Sequence, residues 1–425
     1  MADIGRNSST GDTVVTTRVC IAGGGPAGVM LGLVLARAGI DVVVPEKHDD
    51  FFRDFRGDTV HPSTLNLIDQ LGLRDRFDGI AHAPLPRLDA VVNGVRLHAI
   101  DFHSLPRPNR QITLMPQWDL LKLLADEASK SPHFDLRMGA EVDGVVVSDG
   151  RVVGALATTR GGSLQVNADL TIAADGRGSI VRRALGLRAQ EFGVPVDVCW
   201  FRLDRPADKL PDTLGYLGDS GLLVTIPRPD YLQCGLVIAK GSFETLRSAG
   251  LDAFRDRVSA AAPQLHDVVA GVRGWDQVKL LAVQIDRLDT WWVPGALCIG
   301  DAAHAMSPVF GVGINYAVQD AVATANLLVP VLRTGSTPGP IDAAARALQR
   351  RRQRPTARMQ DIQRRVHRVI GVGDGLRLLS NPPTLLQRVV LGLALPIIRP
   401  IAARVVGYGF RPERIAPAIL NSRRS

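Results

Sequence analysis

The feature that most constrains this chain is residues 19–28, where an apolar run breaks into glycines: Val19-Cys20-Ile21-Ala22-Gly23-Gly24-Gly25-Pro26-Ala27-Gly28. Residues 18–22 read as a short buried strand, and residues 27–38 (AGVMLGLVLARA) as a helix packed on both sides. Gly23, Gly25 and Gly28 fit G-x-G-x-x-G with the required strand before and helix after. The first glycine permits a tight turn, the second lets the backbone approach a pyrophosphate, and the third brings helix and strand together. Unpaired N–H groups at the helix start, in the turn carrying Pro26 and Ala27, then face the anion. A second apolar run, residues 40–44, leads to Glu46 and Lys47. An acid at that distance holds ribose hydroxyls. A bound dinucleotide is therefore expected.

At 425 residues and 46% hydrophobic, the chain can bury a large core in two or three domains. Cys20, Cys199, Cys234 and Cys298 lie scattered in apolar runs without metal spacing. They read as buried free thiols in a reducing, cytoplasmic setting, and no metal is expected. Residues 1–17 are polar, read as a disordered tail, and carry no secretory h-region. No apolar run is long enough to cross a bilayer. Of the net charge of +8, the C-terminal 80 residues hold more than the whole, with 17 arginines against three acids. Such a region suits nucleic acid, an anionic membrane surface or a phosphorylated nicotinamide cofactor, with solvated arginines on amphipathic helices as the plain alternative. No zinc or RNA-binding motif accompanies the charge, so nucleic acid is the least favoured.

Along the chain, residues 62–71 and 117–128 have helical spacing, with Ser63 or Thr64 placed to cap the former. Residues 88–100 alternate around Asn93-Gly94, a hairpin turn. Residues 170–174 form a buried strand stopping at Asp175-Gly176, with a helix from 179 to 185. Between 190 and 286 strand-like runs dominate, interrupted by one helix at 243–262, which reads as an inserted antiparallel sheet. Residues 296–300 are a further buried strand ending at Asp301. A Pro/Gly loop, Ser307 to Asn315, then opens an apolar helix over 315–332, a second place where backbone amides can meet a polar ligand. An Arg-rich helix follows over 341–370. Residues 385–406 read as a cover over an apolar pocket, an amphipathic membrane-surface element or a buried helix pair, the last being preferred.

Three motifs in fixed order, Gly23 to Gly28 with Glu46, Asp175-Gly176, and Gly300-Asp301 through Asn315, resemble the FAD-dependent aromatic hydroxylases of the p-hydroxybenzoate hydroxylase type. The resemblance spans about residues 18–332. It implies an α/β fold: a Rossmann-like FAD-binding domain from residues 18–83, 110–186 and 287–340, with an antiparallel-sheet substrate domain from 84–109 and 187–286. A basic helical region covers 341–425. It also implies roles. Gly23, Gly25, Pro26, Ala27 and Gly28 would hold the FAD pyrophosphate, and Glu46 with Lys47 the adenosine ribose. Arg56 would lie along the pyrophosphate or ribitol, Gln117 at a helix start on the flavin side, and Asp175 at FAD and NAD(P)H. Asp301 would bond the ribitol, Pro308 would flank the isoalloxazine, and Gly311, Gly313 and Asn315 its pyrimidine edge. His304 reads as structural.

The implied chemistry is NAD(P)H-driven hydroxylation of an aromatic or polycyclic small molecule by O2 through a flavin C4a-hydroperoxide. The resemblance implies that NAD(P)H binds only transiently, and the lack of a second strand–glycine–helix motif agrees with it. His61, Arg202, Tyr216 and Tyr231 are the polar candidates for substrate contact, the first three carried as catalytic candidates. Alternatives on the same fold are an FAD-dependent reductase, a membrane-associated hydroxylase of quinone precursors, with peripheral membrane contact, and a non-catalytic ligand binder. A halogenase is disfavoured because Trp291-Trp292-Val293-Pro294 lacks the W-x-W-x-I-P spacing.

Overall fold

The computed structural model describes residues 12–52, 59–92, 95–206, 215–218, 221–228, 230–335, 337–371 and 385–420. Arg56 and the Asn93-Gly94 turn lie outside the described residues.

The glycine motif joins the strand Thr13–Ala22 to the helix Pro26–Arg37. That strand is central in a sheet, paired in parallel with Gly162–Ala173 on one side and Val42–Glu46 on the other. Phe134–Met138 and Ala296–Cys298 extend the sheet in parallel at its two sides. The strand starts five residues earlier than a tail over 1–17 allows. Thr13 to Thr17 pair with Leu164 to Ala168, so the β-branched Val and Thr residues there satisfy a ladder rather than water. The helices Pro26–Arg37 and Gly313–Arg333 pack on each other and are buried nearly all round, which explains their uniformly apolar sequences.

The second layer is a seven-stranded sheet in the order Lys279–Leu281, Val196–Asp204, Tyr231–Ala239, Gly221–Pro227, Gly215–Gly218, Arg87–Val92, Val95–Asp101. It is not wholly antiparallel. Gly215–Gly218 pairs in parallel with Arg87–Val92, because the earlier hairpin joins the later sheet edge to edge. The helix expected over 243–262 is two, Phe243–Ser248 and Leu251–Ala261, parted at Gly250 with φ +96°. Both pack on one face of this sheet with Cys199, Phe201 and Leu223.

Two long helices close the molecule. Pro338–Gly371 crosses the loops at the ends of the parallel strands, and Leu385–Tyr408 runs over the hairpin Arg87–Asp101. The latter helix is not a buried pair member along its length. Ala403 and Val406 are buried, whereas Ile397, Ile398 and Ile401 stand on the surface. No helix among the described residues is long and apolar enough to cross a membrane. The four cysteines are free and buried, and burial pushes the Cys20, Cys199 and Cys298 thiols up to about 12, so they stay protonated.

Candidate active site

The glycine turn shows three separate demands. Gly23 has φ +101°, and a side chain there would meet the Ala174 carbonyl oxygen at 2.7 Å. A Cβ on Gly28 would stand 1.9 Å from the Gly23 oxygen, so helix and strand touch only because it is absent. Gly25 differs: the nearest protein atom to a Cβ there is 4.0 Å away. The protein itself leaves that space open. Gly25 also caps the helix without a side-chain bond, so the first-turn amides around Pro26 and Ala27 are available to an anion. Glu46, buried at its strand end, accepts from Gly24 N at 2.7 Å and from His48 N at 3.1 Å. It thereby shapes the turn as well as facing it, while Lys47 is exposed.

The neighbouring strand ends bring two more carboxylates alongside. One Asp175 oxygen accepts from Ile180 N at 2.8 Å and Val181 N at 3.2 Å, while the other, Oδ1, is buried without a hydrogen bond. Gly176 turns the chain at φ +84°. Arg177 then reaches across, donating to Asp301 at 3.2 Å and to the Met306 carbonyl at 3.3 Å. Sequence reasoning missed Arg177. Its only sign was a cation directly after an Asp-Gly turn, and that contact spans 124 residues.

The loop from Pro308 to Asn315 is held from two sides. Phe310 (φ +66°) and Gly311 (φ +64°) are both left-handed, and a side chain on Gly311 would strike the Thr59 hydroxyl at 2.3 Å. Thr59 donates to the Gly311 carbonyl at 2.8 Å. His61 is fully buried, with Nε2 3.1 Å from the Gly311 oxygen and Nδ1 2.9 Å from the Val406 oxygen. It joins the loop to the C-terminal helix. From the opposite side, Gln363 donates to the Ser307 and Val309 carbonyls at 2.9 and 3.0 Å, and His367 lies 2.6 Å from the Ser307 hydroxyl. Burial drives both histidines down to about 4, so they work as neutral rings at ordinary pH.

Beyond the loop, Gly313–Arg333 begins with no side-chain cap. Ser63 and Thr64 do not cap their own helix either, whose start at His61 lacks such a bond. Both hydroxyls turn inward to the Asn315 amide oxygen, at 2.6 and 2.9 Å, leaving its Nδ2 buried and without a partner. His304 is a structural residue at 2.6 Å from Asp320, which also bonds Gly300 N at 3.1 Å and Arg352 Nε at 2.8 Å. Burial raises the Asp320 carboxyl, but His304 and Arg352 beside it hold it below its ordinary range.

On the substrate sheet, strand alternation sorts the remaining candidates. Tyr216 points with Phe201 and Leu223 towards the helices, away from the Pro308–Asn315 loop, and burial holds its phenol above the usual range. Trp200 and Arg202 lie on the other face. Trp200, Val224, Ile226 and Phe310 belong to one apolar cluster with Ala403 and Val406. Trp200 was not anticipated. Its ring lies over Gly235, whose Cβ would meet it at 3.2 Å. Arg202 sits 4.9 Å over the Tyr231 ring. Tyr231 lines an open cavity of about 950 Å³ together with Arg87, Arg96, Arg228 and Trp118. Gln117, the first residue of Gln117–Ala128, lies between Pro116 and Trp118, two residues that line that cavity.

The glycine turn, the buried Asp175 oxygen and the Asn315 amide thus present donors, acceptors and space that the protein does not itself use, and their chemistry fits FAD. Comparison with known proteins agrees. The family model described as FAD binding domain matches residues 16–360. A 6-methylpretetramide 4-monooxygenase of Streptomyces rimosus is 32% identical over 325 residues, covering 75% of this chain and 76% of that protein. A kynurenine 3-monooxygenase of Salinispora tropica is 29% identical, covering 83% and 82%. Among solved structures, an anhydrotetracycline hydroxylase from Streptomyces rimosus superposes with a TM-score of 0.72 at 23% identity, over 92% of this chain and 76% of that one.

Proposed function

The chain belongs to the family of FAD-dependent monooxygenases matched across residues 16–360, and from that membership we propose that it hydroxylates a polycyclic aromatic molecule at the expense of NAD(P)H and O2. The Streptomyces rimosus relative is named for such a substrate. Bound FAD supplies electron transfer from NAD(P)H and activation of O2. The protein's part is to bind, orient and exclude water.

Gly23, Gly25 and Gly28, with the amides after Pro26 and Ala27, take the pyrophosphate, and Arg56 joins them by resemblance. Glu46 and Lys47 take the adenosine ribose. Asp175 and Asp301 accept from the ribitol hydroxyls, with Arg177 balancing Asp301, and Gln117 contributes from its helix start. Pro308, Gly311, Gly313 and Asn315 surround the ring's polar edge, where N–H donors favour negative charge. A flat substrate lies against Trp200, Val224, Ile226 and Phe310, a surface too apolar to retain water. Buried free cysteines fit a reducing cytoplasm.

The observation that carries this reading is the loop from Pro308 to Asn315, where uncapped helix amides and a buried unpaired amide donor adjoin an apolar sheet face. The test is anaerobic mixing of the purified holoprotein with NADPH, following flavin absorbance with and without tetracyclic phenols. Acceleration by the tetracyclic class, and a product heavier by one oxygen atom once air is admitted, are expected. A flavin that no ligand renders reducible by NADPH or NADH overturns the reading.

A further inference from the structure

The cavity of about 950 Å³ borders the apolar surface just described, and its lining adds charged side chains to apolar ones. Arg87 and Arg96 come from the hairpin Arg87–Asp101, Arg205 from the end of Val196–Asp204, and Arg228 from the turn after Gly221–Pro227. Against these four stand two lining carboxylates, Asp89 and Asp119. Asp89 is engaged by Arg96 at 2.6 Å and by His98 at 2.9 Å. Arg228 is only 6% exposed, so a guanidinium is held at the cavity floor where water screens it little. The helix Gln117–Ala128 opens on the same space with no side-chain cap, adding amide donors. Trp118 and Tyr231 supply two separate aromatic faces.

The cavity also adjoins the candidate flavin site. Leu85 and Leu114 of its wall share an apolar cluster with Phe310, and Pro116 and Trp118 flank Gln117. Four arginines at separate places on or beside the seven-stranded sheet suit anionic groups at more than one point, and two aromatic faces suit two flat rings. A volume at the upper end of small-molecule sites, roughly 300–1,000 Å³, leaves room for a dinucleotide. The sequence offers one strand–glycine–helix motif only, already used.

We propose that this cavity is the docking site of the nicotinamide cofactor, and that its arginines select the 2′-phosphorylated form. The proposal rests on the reading that the enzyme consumes NAD(P)H. Arg87 and Arg205, both exposed at the rim, meet the 2′-phosphate. Arg228 holds the pyrophosphate deeper in, and Trp118 and Tyr231 stack the rings. Binding in this cavity is transient because the rim charges are solvated and screened.

The test compares the FAD-loaded enzyme with R87E/R205E, with R205A alone, and with K122E, which reverses an exposed charge on the outer side of the neighbouring helix. The KM for NADPH rises about tenfold or more in R87E/R205E and less in R205A, while kcat at saturation changes less than about twofold. The KM for NADH and for the aromatic substrate stay near wild type, and K122E is silent. Unchanged NADPH KM in R87E/R205E overturns the proposal. A rise in the aromatic KM instead assigns the cavity to the substrate and also overturns it. Calorimetric titration with adenosine 2′,5′-bisphosphate separates this from failure of the functional reading. Wild type binds it, more tightly than adenosine 5′-monophosphate and less at high salt, and R87E/R205E loses that preference. If the wild type never oxidises NADPH, the functional reading fails while this titration still decides the cavity. Equal binding of the bisphosphate by wild type and R87E/R205E overturns the site on its own.

Discussion

The Ser63 hydroxyl lies 2.6 Å from the amide oxygen of Asn315, 252 residues away, and this contact orients a buried donor left open at the end of the Pro308–Asn315 loop. Thr64 repeats it at 2.9 Å. Removing both hydroxyls frees the Asn315 amide to turn. The S63A/T64V variant should hold FAD about ten- to a hundredfold more weakly, two hydrogen bonds at about 1 kcal/mol each with some loss of orientation. Fluorescence titration of the apoprotein with FAD measures it. Unchanged affinity would place Asn315 away from the flavin.

Two of the motif glycines predict opposite outcomes for the same substitution. Gly28→Ala drives a methyl group into the Gly23 carbonyl, so the variant should melt several degrees lower or fail to accumulate, with or without FAD. Gly25→Ala meets no protein atom closer than 4.0 Å. Its apoprotein should melt like wild type while flavin retention through desalting collapses. Equal melting losses in both variants would remove the pyrophosphate from Gly25.

The contrast shows what a linear sequence can and cannot carry. Gly23 to Gly28, Glu46 and the buried helices are legible because strand, turn and helix are contiguous and periodic. The start at Thr13 was missed because a short run of two Val among three Thr looks polar until a partner strand is known. Arg177, Trp200 and the Gln363–Ser307 bonds were invisible for a related reason. Each acquires its role from a residue tens to hundreds of positions away. Tyr216 failed as a substrate candidate because sequence alone did not say which face of its strand looks towards the flavin loop.

His61 and His367 make the flavin loop acid-sensitive. Both are held down to about 4 by burial, against an ordinary value of 6.5. The unfolded chain therefore binds protons below about pH 6.5 that the fold refuses until about pH 4, so stability is lost as pH falls through that window. Each histidine contributes up to about 1.4 kcal/mol per pH unit there. Melting temperature should fall from about pH 7 to about pH 5 and the slope should flatten in H367N, which cannot titrate. Flavin should leave the folded protein only as pH approaches about 4, where the rings that contact residues 307–311 take up protons. A melting temperature independent of pH across the window would mean that these rings are not buried neutral.

Trp200 offers the most direct reading of the substrate surface. It stands on the loop-facing side of the sheet and shares a cluster with Phe310, with Gly235 beneath its ring leaving it nowhere to collapse. Trp200→Ala removes a flat apolar platform without breaking any hydrogen bond of the flavin loop. A large aromatic face is worth about 1–3 kcal/mol to a stacked ligand, so the KM for a tetracyclic substrate should rise roughly tenfold or more. Flavin content and the rate of NADPH reduction without substrate should hold, because neither depends on that face. Trp200→Phe should recover most of the affinity, as it restores a ring of smaller area. Loss of flavin in Trp200→Ala would instead make the indole part of the cofactor site, and an unchanged KM would move the substrate off this face of the sheet.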